Sequence, residues 1–312
     1  MVLDNLPPAH NQLEFFIEQT SKTPPITTAV IHPVDSNSLH GAIEAAERNI
    51  IDPVLVGPED KIRATAEEQQ LDISQYRIIN SLHSHDSAEK SVAMALTRDV
   101  KILMKGGIST DEMLRAVVHK SKGVRTERRL SHMFMMDVPN YHKPLMITDA
   151  AINIVPDLNI KRDIIQNAIY FCHAIGIAEP KVAILAAVEK VKSNMQSTID
   201  AAALCKMADR GQITGGILDG PLAFDNAISL EAAQDKHINS PVSGEADVLL
   251  APDLEAANMI GKQLIYLAGA KSAGLVLGAR VPIVLTSRAE KTLGRLASCA
   301  LAALQVTHGE SL

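Results

Sequence analysis

Short apolar runs alternate with helix-length amphipathic ones along nearly the whole chain, and that alternation leaves few folds open. The runs at 27–31, 53–56, 76–79 and 101–104 read as strands. Between them, 36–48, 58–70 and 86–97 carry apolar residues at helical spacing, and a further helix opens near Ser109, three residues ahead of Glu112. Strand and helix taken in strict turn predict parallel strands joined by crossovers, in a sheet covered on both faces.

The second half repeats the rhythm. Segments 131–138 and 145–148, split by a turn bearing Pro139 and Asn140, read as a hairpin and as the seam between two lobes. Helices are expected at 159–175, 197–208, 225–234 and 254–267, with strands at 182–185, 216–218, 248–250, 274–277 and 283–285. A closing helix at 288–304 carries the stripe Leu293, Leu296, Ala297, Ala300, Leu301 and Leu304. The 312 residues are enough for about two domains. The expected division sets 1–138 with 286–312 in a first α/β lobe and 139–285 in a second. Ligands of open α/β sheets lie beyond the carboxyl ends of the strands, so the cleft between two such lobes is the expected active site.

Composition narrows the partners. The net charge is −6, Trp is absent and aromatics make up 3% of the chain, which argues against nucleic acid. No polybasic patch or bilayer-length apolar run points to a membrane, and the N-terminus lacks a signal-peptide pattern, so a cytoplasmic location is expected. Cys172, Cys205 and Cys299 are too few and too scattered for a disulfide framework. Walker, G-x-G-x-x-G, H-E-x-x-H and G-x-S-x-G motifs are all missing. His83 and His85 stand two apart without a second ligand cluster, and no metal site is expected.

What remains is a series of anion-binding signals where strands end. Thr286-Ser287-Arg288 follows the last strand and opens the closing helix, whose first turn exposes unpaired N–H groups. Ser287 is either a helix cap or, with Arg288, part of an oxyanion site. Lys105-Gly106-Gly107 precedes a capped helix, where glycine admits close backbone approach and the lysine adds a charge. Arg125, Arg128 and Arg129 form a basic stretch that suits either phosphate or solvent. Asp219 leaves a strand toward the expected cleft, Asp225 suits a helix cap, and Asp149 with Asn153 either shapes a pocket or satisfies a turn.

Three stretches, LSHMFMMDVPNYHKPLMITDAAINIVPDL, TIDAAALCKMADRGQITGGILDGPLAFDNAIS and ADVLLAPDLEAANMIGKQLIYLAGAKSAGLVLGARVPIVLTSRAE, together resemble the phosphate acetyl/butyryltransferase family, from about residue 27 to 306. The resemblance implies two three-layer α/β/α lobes of isocitrate/isopropylmalate dehydrogenase type with the closing helix returning to the first. It implies reversible acyl transfer between coenzyme A and phosphate by direct attack in a ternary complex. Acyl-CoA and phosphate are then the small-molecule partners, coenzyme A is a substrate, no cofactor is tightly bound, and a homodimer is expected. The family's Ser-Arg pair falls on Ser287 and Arg288, and its phosphate-side stretches fall on Lys105, Gly106, Arg125 and Ser131. The acetyl branch carries an Asp where this chain has Gly294. Glu290 is therefore the candidate base, and the butyryl branch is favoured. The alternatives are a nicotinamide-dependent decarboxylating dehydrogenase on a similar fold and a non-catalytic binder of coenzyme A or acyl phosphate.

Overall fold

The computed structural model of the chain describes residues 11–285 and 292–309. In chain order its elements begin α1 (Gln12–Ser21), β1 (Ile26–Ile31), α2 (Ser36–Glu47), β2 (Ile51–Gly57), α3 (Glu59–Glu68), β3 (Arg77–Asn80), α4 (Ser84–Leu96), β4 (Ile102–Lys105) and α5 (Thr110–Val117). Then come β5 (Ser131–Asp137), β6 (Leu145–Thr148), α6 (Leu158–Ala174), β7 (Lys181–Leu185), α7 (Gln196–Asp209), β8 (Ile217–Leu222), α8 (Phe224–Ile228) and α9 (Leu230–Asp235). The last are β9 (Val248–Leu250), α10 (Leu254–Leu267), β10 (Lys271–Leu277), β11 (Ile283–Val284) and α11 (Thr292–His308).

The chain divides into two compact units. Among the described residues, a terminal unit holds 13–128, 273–285 and 292–309, and a central unit holds 11–12 and 129–272. The sequence expectation put the divisions ten residues later at the first boundary and thirteen later at the second. Pairing explains the difference. β5 forms an antiparallel hairpin with β6, Met133 opposite Thr148, which ties it to the central unit. β10 pairs with β11 and β11 with β4, which ties the end of the chain to the terminal unit.

In the terminal unit the strand order is β3-β2-β1-β4-β11-β10, parallel except for β10. From β1 the chain steps outward through β2 to β3, then crosses back to place β4 on the other flank of β1. With right-handed crossovers, that reversal puts helices on opposite faces. In the central unit the order is β5-β6-β9-β7-β8, parallel except for β5.

Two helices depart from the expectation. Helix α1 was not foreseen, though Leu13 and Phe16 are fully buried and Thr20 Oγ1 reaches Ala300 O of α11 at 3.5 Å. The single helix expected at 225–234 is broken at Ser229, which sits in extended backbone while its hydroxyl caps α9 through Ala232 N–H. Helix α11 is buried at Gly294 and throughout Leu296–Leu304, as its small residues allow. Ser298 there accepts the N–H of Gly274 on β10 at 2.9 Å. No helix among the described residues is long and apolar enough to cross a membrane.

Candidate active site

The reversal of strand order at β1 and β4 makes a crevice at the carboxyl edge of the terminal sheet, the usual ligand position in such sheets. Lys105, Gly106 and Gly107 leave β4 at that point. The amide of Gly106 donates to Ile31 O at 3.0 Å and that of Gly107 to His32 O at 2.8 Å. A Cβ on Gly106 would meet Ile31 O at 2.4 Å, and one on Gly107 would meet the Asp35 carboxylate at 2.7 Å. The sequence suggested glycines that let a ligand approach. Instead they let the chain cross its own β1 exit, and both amides are already committed. Lys105, half-buried with Nζ 3.3 Å from Gly106 O, is the charge this segment brings to the edge. The next helix is capped as expected, Ser109 Oγ accepting from Glu112 N–H, but the Glu112 carboxylate takes the Ser84 hydroxyl of α4 rather than turning back.

The sequence reading missed His32. It follows β1 in the left-handed region, φ 59°, and its Nδ1 lies 2.9 Å from Ser87 Oγ, which in turn lies 2.8 Å from Ser81 Oγ. Burial, and secondarily the charge of Lys61, lowers its pKa below the usual histidine range. A histidine between a buried strand and Pro33 is the signal that could have found it.

Ser287, Arg288 and Glu290 lie outside the described residues, which stop at Leu285 and resume at Thr292. The described flank is informative nonetheless. Val284 pairs in register with Met104, so Leu285 and Lys105 leave neighbouring strands side by side. Gly294 is buried in α11, and its carbonyl accepts the Ser298 hydroxyl.

In the central unit, Ser131, His132 and Asp149 meet at the carboxyl end of β6. Asp149 is 3% exposed, and its carboxylate accepts five N–H groups: the amides of His132, Ala151, Ile152 and Asn153, and Asn153 Nδ2 at 2.6 Å. Such a carboxylate holds a loop, so of the two readings open for Asp149 the turn is the one realised. Ser131 is fully buried and its hydroxyl accepts from Asn167 Nδ2 at 3.0 Å, so it too is tied to the fold. His132 is 4% exposed, stands edge-on to Phe134, and leaves Nδ1 without a hydrogen-bond partner. Burial pushes its pKa down to about 4 against the opposing pull of Asp149. Asp219 was expected at a strand exit. It lies within β8, opposite Ala183, because the strand runs on through Gly220-Pro221 to Leu222. Its half-buried carboxylate accepts the Gly220 amide.

Arg125 is not brought together with Lys105. It bridges Ala279 at the other end of the terminal sheet, beside Lys101, where β4 begins. Four strand residues separate the two ends, about 13 Å. Among the described residues no cluster of His, Cys, Asp or Glu suits a metal ion.

Comparison with known proteins gives a consistent answer. The model of the family described as Phosphate acetyl/butaryl transferase matches residues 84–303. A phosphate acetyltransferase of Rhizobium meliloti is 59% identical over 280 residues, 90% of this chain and 89% of its own. A phosphate butyryltransferase of Clostridium beijerinckii is 40% identical over 92% of this chain and 95% of its own. Among solved structures, a branched-chain phosphotransacylase from Enterococcus faecalis V583 superposes with a TM-score of 0.80 at 27% identity, covering 91% of this chain and 99% of that one.

Two outcomes follow from the geometry. Gly106→Ala drives a methyl into a backbone carbonyl and is expected to cost about 1–3 kcal/mol in urea unfolding. An unchanged midpoint removes the crossing as a constraint. For His132, the unfolded chain protonates near pH 6.5 and the folded one near 4. Between those values the unfolded state binds more protons, so stability falls as the pH falls, by roughly 3 kcal/mol once below 4. Unfolding midpoints of the native protein and His132→Gln, measured from pH 7 to 4, should diverge with the variant less pH-sensitive; parallel curves contradict the assignment.

Proposed function

The chain belongs to the phosphate acetyl/butyryltransferase family, and we propose from that membership how its own residues carry the reaction. The protein is a phosphate acyltransferase that moves a short acyl group reversibly between coenzyme A and inorganic phosphate. A phosphate oxygen adds to the thioester carbonyl, the C–S bond breaks, and the coenzyme A thiolate leaves and takes up a proton. In reverse, the thiolate attacks the carbonyl of the acyl phosphate. Neither direction needs a tightly bound cofactor, since coenzyme A enters and leaves as a substrate.

The observation that supports this reading is the pairing of Val284 with Met104, which brings Leu285, the residue ahead of Thr286-Ser287-Arg288 in sequence, to a strand exit beside Lys105. Lys105 and Arg288 offset the charge of phosphate and of the growing oxyanion. Ser287 donates a hydrogen bond to the same oxygens. Glu290 is the proposed base that takes the thiol proton in the acyl-phosphate direction. Gly106 and Gly107 fix the position of Lys105, while Ser131, Asp149 and Asp219 hold the loops and strand of the central unit. Arg125, at the opposite end of the sheet, is left out of the transfer site.

The alternative dehydrogenase loses its ground to the family match. On acyl length, the acetyltransferase relative at 59% identity outweighs the butyryltransferase at 40%, so the two-carbon acyl group is the proposed substrate in place of the longer one the Gly294 position suggested. The proposal includes lobes of isocitrate/isopropylmalate dehydrogenase type, a cytoplasmic location, and a homodimer. The dimer is supported by Met259, Tyr266 and Leu267 of α10, which are 63%, 76% and 82% exposed.

Thiol release from acyl-CoAs of two to six carbons, with phosphate as acceptor, tests this reading. Activity should peak at acetyl-CoA, with each added methylene worth about 1–3 kcal/mol of discrimination. Arg288→Ala should lose about 100-fold or more in kcat while its melting temperature is kept. Near-normal turnover in that variant overturns the site, and a four-carbon optimum overturns the acyl assignment.

A further inference from the structure

A hollow of about 810 Å³ opens at the amino edge of the terminal sheet, the end away from Lys105. Among the described residues its wall carries Arg98, Lys101, Lys120, Arg125 and Arg280, against the carboxylate of Glu127. All five cations are exposed, and none forms an ion pair among the described residues. The whole chain has a net charge of −6, so this concentration of positive charge runs against the average of the molecule. A concave wall of one sign focuses its field and raises the local concentration of oppositely charged ligands.

Part of that charge has a simpler cause. Arg98 and Lys120 follow the carboxyl ends of α4 and α5, where cations offset the helix dipole. Lys101, Arg125 and Arg280 have no such reason, because they stand where strands and a bridge begin. Their backbones are fixed. The Lys101 amide donates to Thr27 O at 2.9 Å, the Arg280 amide donates to Val124 O at 2.8 Å, and Arg125 bridges Ala279. Charges on a pinned backbone cost less to order around a ligand. Beside them, Leu96, Val281 and Pro282 supply an apolar wall in the same hollow.

We propose that this hollow binds a nucleoside polyphosphate, its phosphates across Lys101, Arg125 and Arg280 and its base against Leu96, Val281 and Pro282. The volume falls within the range of small-molecule sites. Clustered phosphates match three or more cations that lack carboxylate partners among the described residues, and the apolar wall suits a base, which inorganic phosphate does not carry. The site is separate from acyl transfer and stands whether or not that reading holds.

Equilibrium dialysis of labelled ATP against the full chain tests the proposal, with coenzyme A added to saturation so that the transfer site is occupied. One ATP per chain should bind, more weakly as salt rises, and pyrophosphate should compete less well than ATP. The double variant Lys101→Gln and Arg280→Gln should bind ATP about tenfold or more weakly, with unchanged kcat and KM for acyl transfer and an unchanged melting temperature. If saturating coenzyme A abolishes ATP binding to the native chain, the hollow is not an independent nucleotide site and the proposal falls. It falls equally if ATP does not bind at millimolar concentration, or if the double variant binds it as the native chain does. A double variant that loses melting temperature while binding ATP as before makes Lys101 and Arg280 structural residues and overturns the proposal, and preferential binding of single-stranded RNA through the same residues replaces the small ligand with a polymer.

Discussion

The crossing of two strand exits organises the terminal unit. Where β4 ends, the amides of Gly106 and Gly107 hydrogen-bond the carbonyls of Ile31 and His32, leaving no room for even a methyl on Gly106. That contact lies where the strand order reverses, follows directly on Lys105, and engages His32, whose left-handed backbone goes with a ring 2.9 Å from the Ser87 hydroxyl. Because β11 joins β4 in parallel, Leu285 leaves its strand next to Lys105. A charge at a strand exit is best held by a backbone that cannot relax away from it.

The central unit solves its own problem with a buried carboxylate. Five N–H groups converge on Asp149, so the loop after β6 is held by one side chain rather than by a run of backbone pairs. The cost of burying that charge is offset by the donors it satisfies. Next to it His132 is kept neutral by burial. The arrangement also explains why an Asp at a strand exit looked functional: strand exits are where both ligands and loop anchors collect.

Much of the fold was legible in the sequence because its signals are local. The alternation of strand and helix, the Ser109 cap and the β5–β6 hairpin each depend on a few neighbouring residues, and the strand expected at 248–250 and the helix expected at 254–267 match the observed bounds. What escaped depends on partners distant in sequence. The unit boundaries follow from β11 pairing with β4, some 180 residues earlier, a choice no short window contains. Gly106 reads alike whether a ligand or Ile31 comes close, and only the register separates the two. Asp219 was misplaced because Gly-Pro usually ends a strand, whereas an edge strand tolerates it. The family resemblance was readable since its motifs are long and ordered, yet it grouped Arg125 with Lys105, which the sheet sets at opposite ends.

Strand β8 closes the central sheet on its outer side with a segment ill-suited to extension. Pro221 offers no N–H to a newcomer, and the register slips between Ala183 and Leu185 just where a flat ladder would be needed. Runaway edge-to-edge stacking of copies, the hazard of any open sheet rich in valine and isoleucine, is thereby discouraged on that flank, and the same irregular strand that misled a reading of Asp219 protects the protein from its own stickiness.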